Sequence, residues 1–327
     1  MLDRMDVLAD VLSVTRMGAT VVAQAELVPP WGLEIDPIAQ AHVHVVQRGG
    51  CWLRLSGQRR HIRLRAGDVM LIRGGVGHSI SDDPKTKPSP HQKVLDAMPR
   101  RSAALPKARA HETTVVLCAK YLFQHVGPHP LTSLLPPLIH LPAQEAERHV
   151  QLQLLLQLLC NEATDAASGT ELVVPRLVDS LLVFVVRAWL AGQPVGAGGW
   201  FGALRDPAIA QALSLIHERP ESTWSVEELA RRVAQSRATF ARRFAELVGE
   251  TPMAYLTRWR ICLATKLLSD TALSLEEIAP RVGYETAAAF SRAFRRSLGE
   301  APGRFRAAAR AQLRDHSPGR STAETNG

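Results

Sequence analysis

The C-terminal third of this 327-residue chain contains an internal repeat, and no other feature limits the fold so tightly. Phe240, Phe244, Gly249, Glu250 and Pro252 recur fifty positions later as Phe290, Phe294, Gly299, Glu300 and Pro302. Upstream, Leu229, Ala230 and Val233 recur as Ile278, Ala279 and Val282 at a spacing of forty-nine, so one extra residue enters the turn of the second copy. Matching spacings of apolar positions mean one supersecondary unit built twice. Each copy reads as a short helix, a tight turn, a second helix and a Gly-x-x-Pro stop. Ser225 with Glu228, and Ser274 with Glu277, have the spacing of a capping box. Ala234-Gln235-Ser236 and Gly283 fall in the turns, and phenylalanines four apart mark the buried face of each second helix.

The opposite faces then follow. Arg237, Ala238, Thr239, Ala241, Arg242 and Arg243 point outward in the first copy; Ala287, Ala288, Ser291, Arg292, Arg295 and Arg296 do so in the second. Small residues beside arginines suit close approach to a groove of double-stranded DNA. The charge balance agrees: 39 Lys and Arg against 31 Asp and Glu give a formal +8, with arginine dense after Trp224, which favours a polyanion. A single such helix pair would also suit an ordinary helical domain with solvated arginines; two copies weigh against that. Met253 to Leu268 contains no helix breaker and is predicted to form one connector of roughly 24 Å at ~1.5 Å per residue. Two reading helices could then enter successive major grooves, about 34 Å apart.

The run SVEELARRVAQSRATFARRFAELVGETPMAYLTRWR, followed by LSLEEIAPRVGYETAAAFSRAFRRSLGEAPGRFR, resembles the DNA-binding domain of the AraC/XylS family over about residues 206–306. The resemblance implies a DNA-binding transcription regulator, leaning towards activation, with RNA polymerase as a protein partner. By position it turns Ala238, Ala241 and Arg242, and Ala287, Ala288, Ser291 and Arg292, towards base edges. Arg237, Arg243, Arg295 and Arg296 are left for phosphate or solvent. With alanine at several base-facing positions, hydrogen-bonded readout would rest mainly on Arg242 and Arg292.

The front of the chain has a different character. From Thr20 to Ile80, short alternating apolar bursts are broken by Pro29-Pro30, Gly49-Gly50, Gly57 and Gly74-Gly75, as in a small barrel or sandwich. Residues 82–111 collect proline, serine and basic residues without periodicity and read as a flexible loop. Strand-like TTVVLCAKYLF resumes at Thr113. Glu145–Asn161 and Val173–Ala191 carry apolar residues at helical spacing and read as two packed helices, either a dimer interface or a cover for the barrel's own core. The expectation is therefore an α+β chain: a sensor and dimerisation domain over 1–191, a Gly-rich linker over 192–205, an all-α domain with two helix-turn-helix units over 206–310, and a disordered tail over 311–327.

The segment from His42 to His78 resembles a cupin barrel of the kind that precedes AraC-type DNA-binding domains. In catalytic cupins an H-x-H pair, a carboxylate and a distant histidine hold a metal. His42 and His44 would share one strand face, and His78 stands at the distant position, so a metal ion or small ligand at these three is one reading. The other is histidines hydrogen-bonded within a barrel wall. Val45-Val46-Gln47-Arg48 occupies the place of the carboxylate, which weighs against an enzyme, although a metal-dependent cupin enzyme fused to a DNA-binding module stays as the alternative to a regulator. Cys51 and Cys118 are candidate redox sensors by the same resemblance; the plainer reading is buried, inert thiols. Four widely spaced cysteines without a CxxC pair point to reduced thiols in a cytoplasm. Leu172 to Leu190 is interrupted by Pro175, Arg176, Asp179 and Arg187, so neither a signal peptide nor a membrane span is expected. The expected partners are DNA, a second copy of the chain, and a small-molecule or oxidant effector.

Overall fold

The computed structural model describes residues 7, 10, 17–18, 22–38, 40–90, 113–123, 135–164, 168–193 and 200–315. The chain divides into two compact units, one of Met17–Gln124 with Leu131–Ala197, the other of Gly198–Gly327 with Met1–Arg16 and His125–Pro130.

The first unit is built on two sheets, antiparallel throughout except for the short β3–β9 pair. One contains β1 (Met17–Gly18), β10 (Thr114–Phe123), β4 (Ala41–Arg48), β7 (Val69–Ile72) and β11 (Leu138–Leu141) in that order, with β2 (Val22–Leu27) also on β10. The other runs β6 (Ile62–Arg65), β5 (Gly50–Leu55), β8 (His78–Ser81), β3 (Gly32–Ile35) and β9 (Ser89–Pro90). Alternation along the strands sends Leu53, Leu64, Met70, Ile72, Ile80 and Val116 into one buried cluster between the sheets. A short helix α1 (Ala143–Ala146) leads to α2 (Val150–Thr164) and α3 (Thr170–Gly192). The Tyr121 hydroxyl donates to the Val178 carbonyl at 2.6 Å, fastening α3 to strand β10.

Three sequence expectations need adjusting at their edges. Ser89–Pro90, inside the expected loop, pairs in parallel with Leu33–Glu34; residues 91–112 lie outside the described residues. Within the expected linker, Trp200–Ala203 form a helical turn, α4, that buries Ala203, and 194–199 lie outside the described residues. The final helix runs on to Asp315 because PGRFRAAARAQLRD has no breaker after its first turn; 316–327, the rest of the expected tail, lie outside the described residues.

The second unit continues with α5 (Pro207–Glu218), α6 (Val226–Arg232), α7 (Arg237–Val248), α8 (Pro252–Asp270), α9 (Leu275–Arg281), α10 (Ala287–Leu298) and α11 (Pro302–Asp315). The repeat is visible in its caps. Ser225 and Ser274 accept from the amides of Glu228 and Glu277, and only the second completes the capping box. Ser236 caps α7 and Thr286 caps α10, fifty positions apart, while Ala234 and Gly283, forty-nine apart, both have positive φ (54° and 80°). The extra residue therefore enters after the left-handed turn position, which glycine occupies without strain and alanine at a cost. Phe240 and Phe244 pack edge to face at 5.6 Å, as do Phe290 and Phe294, and all four are fully buried.

His217 on α5 is a buried imidazole within this core. Its Nε2 lies 2.8 Å from the Tyr255 hydroxyl, its ring stacks on Trp259 at 3.9 Å, and Asp10 stands 3.5 Å from Nδ1. Burial pulls its pKa below the ordinary value, outweighing the carboxylate. The unfolded chain thus binds this proton more readily than the folded one. Stability should be full above about pH 6.5, the unperturbed histidine value, and fall as pH drops below it. Urea unfolding at pH 7.5 and 5.5 should show this loss, and His217→Phe should flatten the slope across that window.

Candidate nucleic-acid interface and sensor site

The expected reading residues sit on the two second helices of the repeat. On α7, Arg237, Ala238, Thr239, Arg242 and Arg243 are exposed and Ala241 is half-buried; on α10, Ala288, Arg292, Arg295 and Arg296 are exposed, and Ala287 and Ser291 half-buried. Burying a Phe pair fixes the rotation of each helix, so these faces follow from the core.

The arginines of the two faces differ in their electrostatic state. On α7, Arg237 pairs with Glu227, Arg242 with Glu246 at 2.9 Å, and Arg243 with Asp206. Asp206 is largely buried and also caps α5, so Arg243 pins that cap. Arg242–Glu246 is an exposed i,i+4 pair, worth only a few tenths of a kcal/mol and easily exchanged for another anion. On α10, none of Arg292, Arg295 and Arg296 pairs with a carboxylate among the described residues.

Several other arginines of the basic C-terminal stretch serve the fold. Arg258 pairs with Glu250 and lies over Tyr255. Arg306 donates to the Leu273 carbonyl. Arg260, on the connector α8, donates to the carbonyls of Pro220 (2.7 Å) and Ser222 (2.8 Å) in the loop before α6 and lies over the Tyr284 ring in the second turn. It therefore joins the two copies. A Cβ on Gly283 would stand 2.5 Å from this guanidinium, so the turn needs glycine for space as well as for φ. In the sequence Arg260 is one basic residue among many; the alternation of apolar and basic residues on α8 carries no sign of its two carbonyl partners.

In the first unit, His42 and His44 share one face of β4 with parallel rings 6.1 Å apart, and His78 at the start of β8 meets them at 5.3 and 5.1 Å. Cys118 lies opposite His44 across the β10–β4 ladder, its sulfur 3.1 Å from His44 Nδ1. The three histidines are at most 2% exposed. The donor types are those of a metal site, but the arrangement is not. His44 and His78 share a hydrogen bond between their Nε2 atoms at 2.8 Å, and no group of three His, Cys, Asp or Glu among the described residues is set to hold one ion. The nearby carboxylate, Asp68, is occupied by the amides of Arg65 and Ala143 and by His140. Cys51 is buried in the core between the sheets. Burial pushes both Cys51 and Cys118 up to about 12, leaving almost no thiolate at neutral pH, so neither is activated towards oxidation.

Comparison with known proteins gives two family matches: a cupin family over residues 6–191, more than half the chain, and a helix-turn-helix domain over 229–308. An AraC-like transcription regulator of Streptomyces lividans is 32% identical over 302 residues, covering 92% of this chain and 98% of that protein. The transcriptional regulator AlkR of Acinetobacter baylyi is 32% identical over 245 residues, covering 74% and 79%. Among solved structures, the DNA-binding domain of AdpA in complex with a target DNA is 37% identical, covering 33% of this chain and 96% of that one, with a TM-score of 0.31.

Removing the Arg260 guanidinium should leave two carbonyls without their donor. Arg260→Ala is expected to destabilise the second unit by about 1.5–3 kcal/mol, the scale of hydrogen bonds to a charged group, read as a lower urea midpoint. Arg260→Lys should recover little, because an ammonium cannot fork to both carbonyls while stacking on Tyr284.

Proposed function

The chain belongs to the AraC-type transcription regulators that carry a cupin domain ahead of a helix-turn-helix domain, and from that premise we propose that it regulates transcription by setting α7 and α10 against one face of a DNA duplex under control of its first unit. The observation that carries this reading is the repeated core, which presents two arginine-bearing helix faces joined by the 19-residue helix α8, roughly 28 Å long at ~1.5 Å per residue. That span is compatible with neighbouring major grooves on one side of the duplex. RNA polymerase as partner, activation as the sense of regulation and the cytoplasm as compartment are carried by the family alone. Among the described residues no helix is long and apolar enough to cross a membrane.

The difference in arginine pairing assigns separate roles. Arg292, with Ala288 and Ser291 on the same face and no carboxylate to displace, is suited to bidentate contact with a guanine edge. Arg295 and Arg296, one turn further along, are suited to phosphate. On α7 a base contact by Arg242 first requires release from Glu246, a small cost, while Arg243 is held by Asp206. In anisotropy titrations against DNA from its own promoter region, Arg292→Ala should weaken specific binding by about 1–3 kcal/mol and erase most of the preference over random duplex. Arg295→Ala should weaken both about equally and reduce the salt slope by about one. Unchanged discrimination in Arg292→Ala would remove that residue from base readout.

Regulation and a homodimer enter through the first unit. Val150, Leu154 and Leu158 stand at successive i,i+4 positions of α2 and are 62%, 55% and 53% exposed. No charged residue occurs from Val150 to Asn161; the polar positions are amides. An apolar, charge-free helix face is the composition of an interface core, and Arg148 and Glu162 at its two ends would meet if a second copy packed antiparallel across it. Leu154→Glu, at the middle of the stripe, is expected to convert a dimer to a monomer in sedimentation equilibrium; an unchanged dimer would place the interface elsewhere.

A further inference from the structure

The first unit is read above as a signal sensor, and its two internal candidates are poorly placed for a ligand. The histidine cluster is at most 2% exposed, and the nitrogens of His44 are turned on His78 and Cys118. The open space lies on the other side of the same strand. A cleft of about 450 Å³ lies between β4 and α2, lined by Val45, Gln47, Leu156 and Cys160, with Gln153, Gln157 and Asn161 along α2. That volume falls in the range of small-molecule sites.

Its lining has an unusual chemistry. None of the residues around it is ionisable as Lys, Arg, His, Asp or Glu, so a charged ligand would lose hydration without gaining a counter-charge. Four of them carry side-chain carboxamides, each offering a donor and an acceptor in one plane. The arrangement resembles the means by which Asn and Gln recognise the paired donor and acceptor of a base edge. Gln47 gives a direction. Its amide nitrogen lies against the Cys160 sulfur, and its Oε1 is buried and accepts no hydrogen bond among the described residues. A buried acceptor left so is costly unless a donor reaches it.

We propose that this cleft is the effector site, and that it takes a small uncharged molecule presenting an N–H beside a C=O or ring nitrogen, such as a carboxamide, lactam or nucleobase. The Gln47 carboxamide turns from the Cys160 sulfur to meet the N–H, the ring or alkyl body lies between Val45 and Leu156, and the remaining amides close over the polar edge. The site rests on reading this unit as a sensor, and α2 gives it an output. One face of that helix lines the cleft and another carries the exposed Val150, Leu154 and Leu158, so a ligand that fixes α2 against β4 also sets the stripe presented to a second copy.

Cys160 provides a reporter, being half-buried and lining the cleft, whereas Cys51 and Cys262 are buried and the half-buried Cys118 lies away from it against His44. The reduced full-length chain is treated with methyl methanethiosulfonate, and modification at each cysteine is followed by mass spectrometry with nicotinamide, uracil or adenine at up to about 10 mM, tenfold above a Kd of about 1 mM. At least one probe is expected to slow modification of Cys160 tenfold or more, saturably, without changing the other three. Gln47→Leu should abolish this protection, and Gln153→Leu provides a second variant should the first unfold. A Cys160 rate indifferent to all three probes overturns the proposal, as does protection undiminished in both variants. The same probes are added to a DNA-binding titration to separate the two readings. Protection without any change in DNA affinity would keep the cleft and remove its sensor role. A change in affinity that persists in both variants would keep the sensor and place its site elsewhere.

Discussion

The second unit depends on burying, twice, two phenylalanine rings four residues apart. Phe240 with Phe244 and Phe290 with Phe294 are fully enclosed and meet edge to face, so neither α7 nor α10 can rotate about its axis without exposing an aromatic ring. Everything that makes these helices candidates for reading DNA follows from that restraint. The arginine faces are simply what lies opposite the rings. The left-handed turn at Ala234 and Gly283 brings each preceding short helix back over the same core, closing it with Leu229 and Ala230 in one copy and Ile278 and Ala279 in the other.

Two rotationally fixed helices are not yet a fixed pair, and Arg260 supplies the missing restraint. Its guanidinium satisfies two carbonyls of the loop before the first copy and lies over Tyr284 in the turn of the second, so a single planar cation on the connector holds both ends. A half-buried charge of this kind is tolerated because its hydrogen bonds are made and its ring partner is aromatic. The dense basic content of the C-terminal stretch is thus of two kinds. Arg258, Arg260 and Arg306 are spent inside the unit, and the field available to a polyanion comes from the α7 and α10 faces and from exposed residues such as Arg304.

Much of this was legible in sequence because it is periodic. Helix-spaced phenylalanines, Ser-x-x-Glu caps and a fifty-residue recurrence are local patterns, and the structure builds them where the spacing puts them. The H-x-H pair on β4 was legible for the same reason: alternation along a strand turns His42 and His44 to one face. Contacts at long separation carry no period. That Cys118 lies against His44, seventy-four residues away, follows only from the β10–β4 register. That Arg260 reaches Pro220, forty residues away, follows only from the packing of α8. The cleft between β4 and α2 pairs Gln47 with Cys160 across 113 residues, and neither residue belongs to a motif. One edge of the expected loop was misjudged too, since composition marks a polar, proline-rich stretch but not whether a strand edge is near enough to pair with it, as β3 is with Ser89–Pro90.

The uneven charge state of α7 and α10 bears on how the protein would find a DNA target through the proposed faces. Arg237, Arg242 and Arg243 on α7 each already face a carboxylate, so their field is largely cancelled within a few ångströms and contributes little at a Debye length of about 8 Å in physiological salt. Arg292, Arg295 and Arg296 face no carboxylate among the described residues and project theirs unopposed. On the proposed reading, diffusional encounter with a polyanion would be steered to α10 first. Engagement of α7 would come afterwards, with phosphate displacing Glu246 from Arg242 at small cost while Arg243 stays with Asp206. Initial capture and final register would then rest on different helices. Because Arg260 fixes the second relative to the first, a duplex held by α10 presents its neighbouring groove to α7 without further search.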